Sequence, residues 1–318
     1  MVFCFFACIL ILILSLIKLY VELTKGRVRS STCLIGKTVL ITGGNSGLGY
    51  QTALALAGRG AKVIIADCND STESRRKIIE KTGNPNVISK KFDLLSLESI
   101  RSFAKEINAE ESRLDILINN AGTAQTLGFS KDGLAGHMQV NNFGGFLLTH
   151  LLIDLLKKSA PSRIIFISSA LAFFNNLTIK NLNETISNDY FSYGNTKLCN
   201  IIISNGFAQK LLGSGVTSNA VHPGAVKTPI FDVFLTQFNF FFGWIWTLIM
   251  RFVGKDAFEG AQCQIHCALS KRLENVTGKY FIDCREFFQP FGIGNKAFCN
   301  EIWNKCEELV KLKPEEKL

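Results

Sequence analysis

One stretch decides the fold: residues 38–49 read Thr38-Val39-Leu40-Ile41-Thr42-Gly43-Gly44-Asn45-Ser46-Gly47-Leu48-Gly49. The apolar, β-branched run has the length of a strand, and the glycine-rich turn after it leads into a helical pattern. Such a turn lets the backbone approach a pyrophosphate, whose charge then lies at the helix N-terminus. We therefore predict a dinucleotide site at this turn. Its predicted cofactor contacts are Gly43, Asn45, Ser46, Gly47, Leu48 and Gly49.

An aspartate follows the second predicted strand, which covers residues 62–66. Asp67 comes eighteen residues after Gly49. A carboxylate at this point of the fold accepts hydrogen bonds from the ribose hydroxyls of an adenosine and repels a 2′-phosphate, so it favours NAD over NADP. The alternative is an aspartate that only forms the turn before Asn69 and Asp70.

Four further predicted strands also end in small or polar residues. They cover residues 87–92, 115–118, 163–167 and 217–221. Strands that alternate with helices predict an α/β fold with a parallel, doubly wound sheet of the Rossmann type, whose carboxyl edge binds the cofactor. The cofactor contacts predicted after these strands are Asp93, Leu94, Asn120, Ala121, Gly122, Pro223, Gly224 and Thr228.

Two residues that can act in proton transfer, Tyr193 and Lys197, lie four positions apart in a predicted helix. Residues at this spacing share one helix face, and a positive charge beside a phenol lowers its pKa from about 10. We therefore predict that the chemistry occurs at this pair, although the pattern alone also fits a solvated helix face. Asn141, an amide in an apolar helical stretch, either caps a local bend or holds a water.

The chain begins with an apolar stretch of about 20 residues, which is long enough to cross a bilayer as a helix. Its flanking basic residues, among them Lys25, Arg27 and Arg29, lie on its carboxyl side and orient the rest of the chain to the cytoplasm. The ten cysteines have no regular spacing and indicate reduced thiols, which agrees with that orientation. The predicted regions are a membrane anchor over 1–22, a basic linker over 23–35, an α/β domain over 36–310 and a charged tail over 311–318.

The net charge of +9 does not indicate nucleic-acid binding, because the lysines and arginines are scattered among the predicted helices. Cys263, His266 and Cys267 are close together on one predicted helix, but no second pair of ligands accompanies them. We assign them to core packing. Neither a metal site nor a nucleic-acid partner is expected.

With these motifs in this order, the sequence resembles the short-chain dehydrogenase/reductase family over residues 36–310. The motifs are Thr-Gly-x-x-x-Gly-x-Gly, Asn-Asn-Ala-Gly, a paired serine, Tyr-x-x-x-Lys and Pro-Gly. Stretches at 140–149, 214–218, 221–224 and 260–262 are similar to its membrane-anchored retinol dehydrogenase branch. The resemblance implies an oxidoreductase that transfers a hydride between a nicotinamide cofactor and a hydrophobic alcohol, aldehyde or ketone.

The resemblance also implies a catalytic tetrad of Asn141, Ser169, Tyr193 and Lys197. Tyr193 would take the alcohol proton in oxidation or donate it in carbonyl reduction, while Lys197 tunes Tyr193 and holds the nicotinamide ribose. Ser169 is chosen over Ser168 because the family's catalytic serine is usually the second of such a pair. It would hydrogen-bond the substrate oxygen, and Asn141 would position a water that links Lys197 to solvent.

NAD is the expected cofactor, with NADP as the alternative. Relatives in the retinol branch often have an arginine directly after the second strand, whereas this chain has Asp67 followed by Cys68. Ser46 occupies a position where many NADP-dependent members have a basic residue. Arg75, Arg76 and Lys77 could reach a 2′-phosphate, but a solvated helix face is the role we favour for them.

An aromatic segment at 229–253 is implied to be a substrate-covering lid or a segment that contacts the membrane. The alternative is ordinary core or a dimer contact. The expected substrate is retinol or retinal, and the alternatives are a steroid or a fatty aldehyde. A non-catalytic, cofactor-binding scaffold on a membrane or lipid droplet is a different class of function that also fits. The implied location is the endoplasmic reticulum membrane, with the lipid-droplet surface as the alternative, and a homodimer is left open.

Overall fold

A single eight-stranded sheet organises the computed structural model, which describes residues 2–125, 127–185, 190–227 and 252–318. Thr228 and nearly all of the aromatic segment 229–253 lie outside the described residues. The strands are β1 Thr38–Thr42, β2 Lys62–Asp67, β3 Val87–Lys91, β4 Ile116–Asn119, β5 Ser162–Ile167, β6 Val216–His222, β7 Tyr280–Ile282 and β8 Arg285–Phe287.

The strand order is β3-β2-β1-β4-β5-β6-β7-β8, and all neighbouring pairs are parallel except β7 with β8. The chain reverses its direction of winding between β1 and β4, so a crevice forms beyond the carboxyl ends of these two strands. The predicted parallel, doubly wound sheet is confirmed. The antiparallel edge strand β8 was not predicted, because strands of three residues are too short to show alternation.

Helices cover both faces of the sheet. Side chains of β1 alternate between the two sides, with Leu40 in one core cluster and Val39 and Ile41 in the other. The helices are α1 Val2–Thr24, α2 Gly47–Ala57, α3 Thr72–Thr82, α4 Leu97–Glu110, α5 Gly136–Met138, α6 Gly144–Leu151, α7 Ile153–Lys158, α8 Tyr190–Lys210, α9 Ala257–Leu269 and α10 Lys296–Leu309. Helices α2, α3 and α9 pack on one face, and α4, α6, α8 and α10 on the other.

The helix predicted around Asn141 is not regular. A π-helical turn, Gln139–Phe143, separates α5 from α6. Such turns are rare and occur often at functional sites, because the extra residue changes the direction of one side chain. Asn141, a predicted member of the tetrad, lies within this turn.

Both ends of the chain are in contact with the α/β domain. Leu312, in the charged tail, is buried, and Glu316 forms an ion pair with Arg101 of α4. At the other end, Val28 of the linker donates its backbone N–H to Gln262 of α9. Among the side chains that the structure describes, no helix is both long and apolar enough to cross a bilayer.

Candidate active site

The glycine turn is packed directly against the end of β4. Gly43 has a φ of 66°, and a Cβ added to it would lie 2.8 Å from the Cα of Ala121. A Cβ on Gly49 would overlap the carbonyl oxygen of Gly43. Asn120 holds the turn by donating from Nδ2 to the carbonyl oxygens of Thr42 at 2.9 Å and Gly43 at 3.1 Å. Only glycine fits these two positions, so the turn stays narrow and close to the sheet.

Helix α2 begins at Gly47, directly within this turn. Its N-cap residue is Ser46, whose hydroxyl accepts no hydrogen bond from the first turn of the helix. The N–H groups of that turn therefore lack a side-chain cap and can bind an anion.

A cleft of about 440 Å³ lies beside the turn, at the switch point between β1 and β4. Its walls come from four separate parts of the chain that follow β1, β2, β3 and β4. The predicted cofactor contacts that line it are Gly43, Asn45, Ser46, Gly47, Leu48, Gly49, Asp67, Asp93, Leu94, Asn120, Ala121 and Gly122. The tertiary structure thus collects most of the predicted cofactor contacts into one cavity.

Asp67 lies at the edge of this cleft, at the end of β2. Its Oδ2 accepts from the backbone N–H of Asn45 at 3.4 Å, and its Oδ1 accepts from that of Asn69 at 3.0 Å. These contacts fix the carboxylate next to the glycine turn. Its side chain is only partly buried, so it remains accessible from the cleft.

The basic residues of α3 are engaged elsewhere. Arg75 donates from Nε to the carbonyl oxygen of Val87 at 2.8 Å. Arg76 forms ion pairs with Glu73 at 2.8 Å and Glu80 at 3.0 Å. The solvated-face interpretation of these arginines agrees with these contacts.

Tyr193 and Lys197 share one face of α8. The Nζ of Lys197 lies 5.2 Å from the centroid of the Tyr193 ring and donates to the carbonyl oxygen of Ile167 at 3.3 Å. A Cβ added to Gly122 would lie 3.5 Å from this Nζ. The lysine therefore connects the tyrosine to the wall of the cleft.

Burial dominates the protonation of this pair. It raises the pKa of the Tyr193 phenol and lowers the pKa of the Lys197 ammonium to about 8. The sequence predicted a phenol pKa lowered by the lysine charge, whereas desolvation is the cause that shifts the pKa of both groups, and it raises that of the phenol. The Lys197 side chain is 4% exposed, and the structure gives it a carbonyl oxygen as a partner.

The side-chain amide of Asn141 joins two parts of the site. Its Oδ1 accepts from the backbone N–H of Thr123 at 2.7 Å, and its Nδ2 donates to the carbonyl oxygen of Thr123 at 2.9 Å. The same Nδ2 donates to the hydroxyl of Thr196 at 3.2 Å. Asn141 thus holds the loop after β4 to α8, and its role in positioning a water stays a prediction.

The two serines after β5 have different environments. Ser168 is buried and donates its hydroxyl to the carbonyl oxygen of Lys197 at 2.7 Å. Ser169 is partly exposed and accepts from the backbone N–H of Leu171 at 3.2 Å, at the start of a 3₁₀ turn, Ala170–Phe173. Ser168 therefore uses its hydroxyl hydrogen in the bond to Lys197, whereas the contact of Ser169 with Leu171 leaves the Ser169 hydroxyl hydrogen unused.

Several residues that support the tetrad were not predicted. Asn142 donates to the carbonyl oxygen of Thr196 at 2.6 Å and to Oδ1 of Asn200 at 2.7 Å. Asn200 in turn donates to the carbonyl oxygen of Ile167, which also accepts from Lys197. A second asparagine beside Asn141 was the only sequence signal for this buried network.

The residues after β6 are placed differently from the other cofactor contacts. Gly224 has a φ of 92°, and a Cβ added to it would lie 2.7 Å from the Nζ of Lys255. Lys255 forms an ion pair with Asp283. Gly224 thus adjoins this ion pair, and neither Pro223 nor Gly224 is among the residues that line the cleft. Thr228 lies outside the described residues.

Among the described residues, no group of three or more His, Cys, Asp or Glu side chains is arranged to hold a metal ion. His266, on α9, has a pKa lowered by burial and by the charge of Arg163.

A dinucleotide cleft at the switch point of a parallel sheet, with a tyrosine and lysine beside it, defines a nicotinamide-dependent oxidoreductase. Residues 37–237 match the short chain dehydrogenase family, and the chain belongs to this family. The predicted membership is confirmed.

Retinol dehydrogenases from three mammals are similar to this protein over most of the chain. Human retinol dehydrogenase 11 is 40% identical over 296 residues, which is 91% of each chain. Bovine retinol dehydrogenase 12 is 40% identical and covers 91% of this chain and 90% of its own. Mouse retinol dehydrogenase 14 is 38% identical and covers 86% of each.

Solved structures agree on the fold. An uncharacterized protein from Mycobacterium paratuberculosis superposes with a TM-score of 0.69 at 25% identity, covering 88% of this chain and 95% of its own. RhlG of Pseudomonas aeruginosa, in a complex with NADP, gives a TM-score of 0.63 at 24% identity over 80% of this chain and 97% of its own.

Proposed function

We propose that this protein is a membrane-anchored dehydrogenase/reductase for retinol, retinal or a closely similar lipid, and that it prefers NAD. The observation that carries the proposal is the position of Lys197, whose ammonium lies against the Tyr193 ring and next to Gly122 of the cofactor cleft. Tyr193 is then adjacent to the nicotinamide end of the cleft, where an alcohol or carbonyl group would react.

The cleft fits a dinucleotide. A Cβ at Gly43 would clash with Ala121 and one at Gly49 with the carbonyl oxygen of Gly43, so glycine at both positions keeps the turn narrow beside the cleft. The first turn of α2 has no side-chain cap, which leaves its N–H groups for a pyrophosphate. When bound, the nicotinamide supplies or accepts the hydride. The residues of the protein bind and orient the cofactor and the substrate, and they transfer the proton.

Each member of the tetrad has a distinct proposed task. Tyr193 exchanges a proton between its phenol oxygen and the substrate oxygen. Lys197 is mostly protonated at neutral pH, because its pKa of about 8 is still above 7, and its charge stabilises the phenolate. Ser169 donates its hydroxyl to the substrate oxygen as charge develops there. Asn141 holds the loop after β4 in register with α8.

The proposed preference for NAD rests on the charges around the ribose end of the cleft. Asp67 presents a carboxylate there, which repels a 2′-phosphate. Arg75 and Arg76 are held by Val87, Glu73 and Glu80. Reaching a phosphate would require breaking those contacts.

A hydrophobic substrate agrees with the aromatic side chains that follow Ser169 in the chain and with the rings that contact them. Phe173 and Phe174 follow it within the next five positions, and Phe174 is 66% exposed. The ring of Phe288 lies 5.2 Å from that of Phe173, and Phe287 stacks on Phe288 at 4.2 Å. These rings form an apolar surface that suits a polyene or another long lipid better than a small polar alcohol.

Membrane attachment is proposed to occur through α1. Most of its described apolar side chains are solvent-exposed in the isolated chain, among them Leu12, Leu16 and Leu19. Exposed apolar side chains along a helix are stabilised by a lipid environment. We further propose the endoplasmic reticulum membrane as the site, with the domain on the cytoplasmic side, because the basic residues follow the helix.

The test is the absorbance of reduced cofactor with the purified protein in detergent. NAD and NADP are offered separately with all-trans-retinol, a 3-hydroxysteroid and a long-chain alcohol. We expect turnover of retinol with NAD, its loss in Tyr193→Phe and its retention in Tyr50→Phe, which removes a phenol outside the cleft. Binding of either cofactor without turnover of any substrate would reject the enzyme in favour of a scaffold. Turnover of only the steroid or the long-chain alcohol would reject the retinoid assignment.

A further inference from the structure

The linker after α1 is bound tightly along the α/β domain. Thr32 donates its hydroxyl to the carbonyl oxygen of Leu269 at 3.0 Å, and Lys25 forms an ion pair with Glu259. A Cβ added to Gly26 would overlap the carbonyl group of Asp283 in the β7–β8 turn. The linker therefore has a defined position against α9 and this turn.

A cavity of about 1090 Å³ lies between the linker, the end of α9 and the β7–β8 turn. We call it the basic cleft, because its wall includes cations from three separate parts of the chain. These are Lys25, Arg27, Arg29, Lys271, Arg272 and Arg285. The carboxylates in the wall, Glu22 and Asp283, are already paired with lysines.

Most of these cations have no counter-charge among the residues that the structure describes. Arg27, Arg29, Arg272 and Arg285 are exposed, and none forms an ion pair with another residue that the structure describes. Like charges that share a cleft repel one another and raise the local concentration of anions. Arginine in particular binds phosphate through two parallel hydrogen bonds.

The location of the basic cleft indicates where the anion comes from. Leu23, near the end of α1, forms part of its wall. The strand β8 begins with Arg285 in the cleft and leads to the exposed aromatic rings of Phe287 and Phe288. Basic and aromatic side chains at the end of a membrane helix are typical of the lipid headgroup region.

We propose that the basic cleft binds the phosphate-bearing headgroup of an anionic phospholipid from the membrane in which α1 is anchored. This inference rests on the membrane anchoring proposed above. Because the linker is fixed to α9, a headgroup in the cleft also fixes the orientation of the domain and of its aromatic surface relative to the bilayer.

The test uses the full-length protein in nanodiscs of phosphatidylcholine with increasing fractions of phosphatidylserine. Hydrogen–deuterium exchange is followed in peptides that contain residues 25–33, 270–273 and 283–285. Each basic side chain near an anionic surface strengthens binding roughly fivefold. We expect phosphatidylserine to protect these peptides, and the fourfold variant Arg27→Gln, Arg29→Gln, Arg272→Gln, Arg285→Gln to lose that protection.

The matched control removes the same charge elsewhere, in the variant Lys105→Gln, Lys131→Gln, Lys157→Gln, Lys158→Gln, whose lysines are all exposed. It should keep the protection. Equal loss in both variants would mean that only net charge matters and would overturn the site. Equal protection by inorganic phosphate in pure phosphatidylcholine discs would mean that the basic cleft binds a soluble anion and not a lipid headgroup.

The experiments distinguish failure of the proposed dehydrogenase activity from failure of the proposed headgroup site. Retinol turnover in detergent does not require phosphatidylserine, so its absence would reject the enzyme assignment and leave the headgroup result intact. A protein that enters the discs without any dependence on phosphatidylserine would reject the headgroup site alone. A protein that does not enter the discs would reject both the anchor and the site. The cleft variant should retain dehydrogenase activity in detergent, which shows that it folds.

Discussion

Replacing Lys197 by methionine is expected to stabilise the ligand-free protein and to abolish turnover. The Lys197 ammonium is buried, and its partner is the carbonyl oxygen of Ile167 at 3.3 Å rather than a carboxylate. Methionine has a similar length and no charge, so it removes the desolvation penalty. The carbonyl oxygen keeps its hydrogen bond from Asn200 at 2.9 Å.

The size of the effect follows from the pKa of Lys197, which burial lowers from 10.5 to about 8. A difference of this size corresponds to about 3 kcal/mol in the free energy of unfolding. Below pH 8 both the folded and the unfolded lysine are charged, so the wild type carries the whole penalty. Between pH 8 and 10.5 the unfolded chain binds more protons, so wild-type stability rises with pH and the advantage of the variant disappears.

The assay is chemical denaturation of both proteins in the same detergent at pH 7, 9 and above 10.5. We expect Lys197→Met to be more stable at pH 7 by up to about 3 kcal/mol, and the difference to shrink as pH rises. Lys158→Met, at an exposed position, controls for the loss of a surface charge. A variant that is less stable at pH 7, or a difference that does not change with pH, would refute the reasoning.

Two further substitutions test the cleft and the tetrad. Asp67→Ser removes the charge that repels a 2′-phosphate, so the ratio of kcat/KM for NAD to that for NADP should fall roughly tenfold or more. The measurement is steady-state kinetics with both cofactors, and an unchanged ratio would contradict the role of Asp67. Asn141→Ala leaves the backbone N–H and carbonyl oxygen of Thr123 without their partner, which should lower the free energy of unfolding by about 1–3 kcal/mol. Asn108→Ala, which loses a single exposed hydrogen bond, is its control, and equal losses in the two variants would argue against a special role for Asn141.

Features encoded by neighbouring residues were predictable from the sequence. The strand β1, the glycine turn and the start of α2 form one continuous stretch, so their pattern predicted the fold and a candidate cofactor site together. The spacing of Tyr193 and Lys197 was sufficient to predict a shared helix face, because helix geometry is local. The predicted cofactor contacts from Gly43 to Gly122 were found on one cleft because the carboxyl ends of parallel strands necessarily meet.

Other features depend on residues that are distant in the chain. The partners of Asn141 are Thr123 and Thr196, 18 and 55 positions away, and no local pattern indicates them. The different environments of Ser168 and Ser169 arise from the packing of α8 on β5. The pKa of Lys197 could not be predicted from Tyr193 alone, because desolvation depends on all the atoms that surround a buried charge. The basic cleft likewise exists only because the linker, α9 and β8 meet. The sequence determined which residues of this protein can bind and react. The tertiary structure decided which of them lie together and how far each is removed from water.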